Sequence, residues 1–267
     1  MTQRRYDPHF PIVVGLCGKA GTGKTTVAKG FVPSASSSAI FFEGDSEKHL
    51  EDARIIVDHL YFAMPLYAMA SVKTKTQGEL VAERELYGIH EVLFDLFGKS
   101  PLYGLPPYNQ LVALTHMIHQ MGVARDTKPR SFLQEAGTLI RSIDPDTFVN
   151  WVARKIVSNS AAAIDMGVPH LTFISDLRMP NEAAFVAEHP NGVLIKYTCD
   201  EKVRGARILD RDGVRMTEAQ AGHESEKIEL INPEHVAGEI DSTSLSIKEQ
   251  AQFTTKFINE TFGAELF

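Results

Sequence analysis

With 267 residues and 43% apolar content, the chain is long enough for one large α/β domain, or a core domain carrying an inserted lid, and has apolar side chains enough to pack it. A net charge of −7 supplies no overall basic field for holding a polyanion by counterion release, so nucleic acid is not the expected ligand. Two distant cysteines, Cys17 and Cys199, fit no metal or redox spacing, no apolar run approaches the roughly 18 residues of a membrane span, and the run after "MTQRRYDPHF" is broken too soon for a signal sequence; a soluble, reduced, cytoplasmic protein without membrane attachment is expected.

In chain order, Pro11 to Leu16 reads as a buried strand, and Lys24 to Phe31 as a helix ended by Gly30 and Pro33. The polar connector "PSASSSA" follows. Ala39 to Tyr67 is ambiguous, with a strand placed near Ile55 to Phe62 and a helix from Pro65. Between residues 67 and 128 the pattern weakens to two helices around a Pro/Gly-rich turn, which reads as a helical insertion on the core. From Lys128 the periodicity sharpens. Phe132, Leu133, Ala136, Leu139, Ile140 and Ile143 share one helical sector, and Arg130, Gln134, Thr138 and Arg141 lie opposite. "DPDTFVNWVARKIV" starts a further helix, with Asp144 or Asp146 as N-cap and Trp151 as a core residue. "HLTFISDLRMPNEAAFVAEH" gives a strand, a loop carrying Asp176 and Arg178, and a helix from Pro180; "GVLIKYTCD" is another strand. The charged stretch over 200–222 has no core stripe and reads as a mobile lid or loop, before a last strand and a C-terminal helix.

Gly18-Lys19-Ala20-Gly21-Thr22-Gly23-Lys24-Thr25 satisfies G-x-x-x-x-G-K-[ST] between a predicted strand and a predicted helix, the context that gives the pattern meaning. The glycines let backbone N–H groups of Gly18 to Thr26 turn toward phosphate oxygens, Lys24 reaches the β- and γ-phosphates, and the Thr25 hydroxyl can ligate Mg²⁺. The alternative is a glycine-rich turn with an exposed lysine.

Four further stretches, "YFAMPL" (Tyr61 to Leu66), "RSFLQEAGT" (Arg130 to Thr138), "FISDLRMPNEA" (Phe173 to Ala183) and "HESE" (His223 to Glu226), occur in an order that resembles the bacteriophage deoxynucleoside monophosphate kinases. The resemblance implies an α/β P-loop NTPase core with a parallel five-stranded sheet flanked by helices. It also implies a monophosphate-binding arm over 67–128, a lid over 200–222, and transfer of the ATP γ-phosphate to a deoxynucleotide with ATP and Mg²⁺ bound. It places the protein in the host cytoplasm if phage-encoded, and leaves a homodimer open. The whole chain, 1–267, is then a single kinase domain with small-molecule nucleotide partners. Residues 67–128 depart from the family pattern, and no base-contacting group is assigned there.

Phosphoryl transfer between two anions calls for cations that neutralise the equatorial oxygens, so arginines are the residues to find. Arg130, Gln134 and Arg141 on the polar helix face, with Arg204, are the candidate substrate contacts. Lys24, Arg178 and Arg207 are the candidate catalytic cations, Arg178 being also spaced for an ion pair with Glu182. Asp176, at a strand end, is the candidate Mg²⁺ and substrate carboxylate or else a helix cap, with Asp58 as its rival. Two other readings stand beside this one: a P-loop kinase of another small molecule, such as dephospho-coenzyme A or a sugar acid, and a nucleotide-driven ATPase switch. No N-K-x-D tetrapeptide supports a GTPase.

Overall fold

The first strand, β1 (Ile12–Cys17), is buried along its whole length, as a strand covered on both faces must be. In the computed structural model, which describes residues 6–32, 56–75, 81–98, 108–123, 129–165 and 169–262, this strand is the centre of a five-stranded sheet. The serine connector, Pro33 and the Pro/Gly-rich turn of the insertion lie outside the described residues.

The order of elements is β1, α1 (Lys24–Phe31), β2 (Ile56–Leu60), α2 (Met64–Lys75), α3 (Val81–Phe97), α4 (Tyr108–Gln120), α5 (Arg130–Arg141), α6 (Thr147–Asp165), β3 (His170–Leu177), α7 (Pro180–Glu188), β4 (Gly192–Thr198), α8 (Glu201–Asp212), α9 (Glu218–Ala221), β5 (Gly238–Asp241) and α10 (Ile247–Phe262). All strand pairings are parallel, in the order β2-β3-β1-β4-β5. The connection after β1 leads to β2 on one side, and the connection after β3 leads to β4 on the other. The neighbouring strands β1 and β4 send their connections to opposite sides, toward β2 and β5, so the switch point where α/β proteins keep their ligand crevice lies at the carboxyl end of β1.

The chain forms two compact units. One comprises Met1–Tyr61, Arg154–Arg211 and Glu224–Phe267, and the other Phe62–Ala153 and Asp212–His223. The first holds the sheet. Its core stacks Val14, Leu16, Phe173, Val193, Ile195 and Ile240 against Val27, Ala28 and Phe31 of α1 and Ile258 and Phe262 of α10. The second is helical: α2, α3 and α4 pack through Leu66, Met69, Ile89, Leu93, Leu96, Leu111, Leu114 and Ile118, and α5 packs on α2. The helical segment expected over 67–128 falls within it. Trp151 is buried and donates its indole N–H to Asp95 at 2.8 Å. Among the described residues no helix is long and apolar enough to cross a membrane.

Two expectations are corrected. The charged stretch expected to lack a core stripe holds a three-turn helix, α8, whose buried residues are Arg204 and Ile208, four apart on one face. An arginine forms half of that stripe, so a search for apolar periodicity passes over it. Ile143, expected on the apolar face of α5, lies beyond its last residue and is exposed.

Phe31 and Phe173 stack with ring centroids 4.5 Å apart, joining α1 to the sheet beneath the glycine-rich loop. Phe173→Ala is expected to lower unfolding free energy by about 3–5 kcal/mol in urea denaturation, through lost transfer energy and the cavity left behind; a loss under about 1 kcal/mol would show that this contact does not anchor α1.

Candidate functional site

The glycines after β1 are required by geometry. Gly18, Gly21 and Gly23 adopt φ of 148°, 85° and 92°, in the region that favours glycine, and a Cβ on Gly18 would lie 2.4 Å from the Tyr197 carbonyl oxygen. Gly23 caps α1 without a side-chain hydrogen bond, and the first turn carries no acidic residue. The consecutive N–H groups of Gly21, Thr22, Gly23, Lys24 and Thr25 consequently find no acceptor among the described residues. Here a helix N-terminus and a turned-in loop point donors at one place, an arrangement suited to an anion.

Lys24 is buried inside this loop, not exposed on a turn. Its ammonium donates to the carbonyls of Gly18 at 2.6 Å and Lys19 at 3.0 Å, and to the Thr22 hydroxyl at 3.4 Å. Burial, and then the Arg178 charge, push its pKa down to about 7, against the opposing pull of Glu226 and Asp176.

Both main-chain groups of Ala20 are taken. Its N–H donates to Glu226 Oε2 at 3.0 Å, and its carbonyl accepts from Arg204 Nη1 at 2.9 Å. Arg204 is also paired with Glu201 one turn earlier on α8, and a Cβ on Gly21 would meet the Arg204 carbonyl oxygen at 2.9 Å. Helix α8 thus backs the glycine-rich loop. Arg207 turns elsewhere, donating to the Ser242 carbonyl at 2.8 Å and hydroxyl at 3.3 Å and to Cys199 Sγ at 3.4 Å.

Arg178 follows β3, and Glu182 holds its main chain. The Glu182 carboxylate accepts the backbone N–H groups of Arg178 at 2.9 Å and Met179 at 3.1 Å, fixing the turn into α7. The Arg178 guanidinium is bound by Glu226 and by the Ser225 carbonyl at 3.0 Å. Burial works against the charge of Glu226, but Arg178, the Ala20 N–H and Lys24 together hold its carboxyl below the ordinary value.

Next to this cluster, the exposed Thr25 hydroxyl lies 3.4 Å from Ser175 Oγ, which is 2.7 Å from His59 Nε2. Asp176 is the next residue of β3. Its charge acts on Lys24 and, after burial, helps raise the Tyr61 phenol. The rival carboxylate, Asp58, is taken by His170 at 2.9 Å. Among the described residues no three His, Cys, Asp or Glu gather to hold a metal by themselves.

The polar face of α5 has its own neighbours within the second unit. Arg130 pairs with Asp212 at 2.6 Å, both well buried; Gln134 donates to the Gln220 carbonyl at 3.2 Å; Thr138 lies 3.4 Å from His223. Arg141 stacks 4.7 Å over Phe148. Glu226, Glu201, Ser175 and His59 were not singled out as site residues from sequence. Two of them lie in stretches noted there, Glu226 as the last residue of "HESE" and Ser175 as the third of "FISDLRMPNEA". Compared with known proteins, the chain matches no family model and no curated protein sequence.

His59 gives the site a pH signature. Burial, then the Lys29 charge, push its imidazole down to about 4, while the unfolded chain takes the proton near 6.5. Between those values the unfolded state binds more protons, so this group's contribution to stability is intact above pH 6.5 and is lost as pH falls toward 4. Imidazole ¹⁵N NMR is expected to find His59 neutral at about pH 5.5, where an ordinary histidine is charged; a charged ring there would contradict the packing around Ser175.

Proposed function

We propose that this protein is a P-loop kinase that transfers the γ-phosphoryl group of ATP to a deoxynucleoside monophosphate, giving ADP and the deoxynucleoside diphosphate. The observation that carries the reading is the run of donors from Gly21 to Thr25, without acceptors among the described residues and wrapped around Lys24 at the carboxyl end of the central strand. A polyphosphate chain answers that arrangement: its oxygens accept the N–H groups, and Lys24 exchanges two loop carbonyls for the β- and γ-oxygens.

Thr25 and Asp176 supply one hydroxyl and one carboxylate. That set suits Mg²⁺, which takes one or two protein oxygens and fills its remaining positions with phosphate oxygens and water. When bound it neutralises charge on the β- and γ-phosphates. Arg178, close enough to Lys24 to depress its pKa, is the cation assigned to the transferring group. An oxygen of the acceptor's phosphate attacks the γ-phosphorus, the bond to the β-γ bridging oxygen breaks, and that oxygen leaves with ADP; no covalent enzyme intermediate is involved. In the second unit, Arg130, Gln134 and Arg141 are the groups assigned to the acceptor. Arg130 already binds one oxygen of a carboxylate, Asp212, and a guanidinium takes phosphate oxygens in the same way.

ADP release measured across the deoxy- and ribonucleoside monophosphates tests the proposal. At least one deoxynucleotide is expected to stimulate turnover, and Lys24→Met, which keeps the buried stem and removes the charge, is expected to lower it by about 10²–10³-fold in a folded protein. Turnover that no monophosphate stimulates, or a folded Lys24→Met with wild-type turnover, would overturn the reading.

A further inference from the structure

We infer that Glu226 is a positioning residue for phosphoryl transfer: its carboxylate bridges the Arg178 guanidinium and the Ala20 N–H, and so fixes the strand-end arginine to the phosphate-binding loop. The inference rests on the kinase reading and assigns it a residue that makes no contact with the phosphoryl group itself.

The geometry is specific. One oxygen of Glu226 accepts from Arg178 Nη1 and the other from the Ala20 N–H at 3.0 Å, so a single side chain ties two segments that are far apart in the chain. Glu226 is 5% exposed, and a carboxylate that deep must keep its partners. The same nitrogen of Arg178 also binds the carbonyl of Ser225, so the short turn Glu224–Glu226 contributes two acceptors to one guanidinium. The Arg178 main chain is held separately, by Glu182. An arginine side chain has several rotatable bonds, and free it would spend little time at any one position. Held at both ends, it occupies one position relative to Ala20, which pre-orients a cation for charge that develops only during transfer.

Charge balance favours the same role. Lys24 and Arg178 are two cations close enough for Arg178 to lower the Lys24 pKa, and Glu226 opposes that effect. A neutral residue at position 226 would leave two neighbouring cations without their shared counter-charge and take away the acceptor that links Arg178 to Ala20. Glutamine sharpens the test because its NH₂ group, a donor only, would replace one of the two carboxylate oxygens and face either Arg178 or Ala20 with no acceptor.

A double-mutant cycle on kcat with Arg178→Ala, Glu226→Gln and the double variant tests the inference. Glu226→Gln is expected to lower kcat by about 10²-fold with the KM values for ATP and monophosphate changed less than threefold, and to have no further effect once Arg178 is alanine. Additive losses, an unchanged kcat, or a loss confined to KM would overturn it. Should Glu226→Gln fail to fold, the wild-type protein carries the test: guanidinium ¹⁵N NMR is expected to resolve slowly rotating Nη groups for Arg178, both alone and with a non-hydrolysable ATP analogue bound. An averaged signal in either state would overturn the bridge, and collapse only on analogue binding would make Glu226 an anion that nucleotide displaces. The NMR readout needs no turnover. Wild-type protein without monophosphate-dependent ADP release would therefore fail the kinase reading separately.

Discussion

A lysine ammonium buried at the end of the central strand must be neutralised where it lies, because removing a cation from water costs several kcal/mol even after the protein relaxes. The surroundings of Lys24 answer that requirement. The carbonyls of Gly18 and Lys19 turn inward to accept its protons, and Gly18 takes a φ few other residues tolerate to allow this. Burial first, and then the charge of Arg178, lower the Lys24 pKa to about 7, while Glu226 and Asp176 bring opposing negative charge from two other segments. In the proposed kinase, a cation held in that balance would exchange protein carbonyls for phosphate oxygens without a large change in its own solvation.

The sheet delivers these groups to one edge. Parallel pairing of β1 with both β3 and β4 puts the ends of Cys17, Leu177 and Lys196 side by side, so the glycine-rich loop and the Asp176–Arg178 turn emerge together. Ala20 is then held on both sides, its N–H by Glu226 and its carbonyl by Arg204. The donors of Gly21 to Thr25, by contrast, have no acceptor among the described residues. The loop is braced where it meets the rest of its own unit and open where a phosphate chain would bind.

Much of this was legible in the sequence because it depends on local chemistry. The loop pattern, the strand before it, the helix after it and the strand end at Asp176 and Arg178 are all short-range signals, and β1, α1 and β3 fall where they were expected. The α5 polar face was legible too, as Arg130, Gln134 and Thr138, but its partners Asp212, Gln220 and His223 lie about eighty residues further on, where periodicity carries no information. Glu226 was hidden for the same reason: its two partners are 206 and 48 residues away. The helix α8 was hidden differently, since its buried stripe contains an arginine whose charge is satisfied by Glu201 and a loop carbonyl. A charge that counts toward solvent in a pattern search counts toward the interior here.

In the proposed reaction the loop binds a phosphate chain in order to pass its last phosphoryl group to another nucleotide. Following ATP, Mg²⁺ and a deoxynucleoside monophosphate with the protein by ³¹P NMR tests this directly, since it reports where the phosphorus goes. The γ-phosphate resonance of ATP is expected to fall in step with the rise of a new β-phosphate resonance from the deoxynucleoside diphosphate, with little inorganic phosphate. Release of the γ-phosphate as inorganic phosphate, with the monophosphate unchanged, would contradict it and identify the protein as a nucleotide hydrolase.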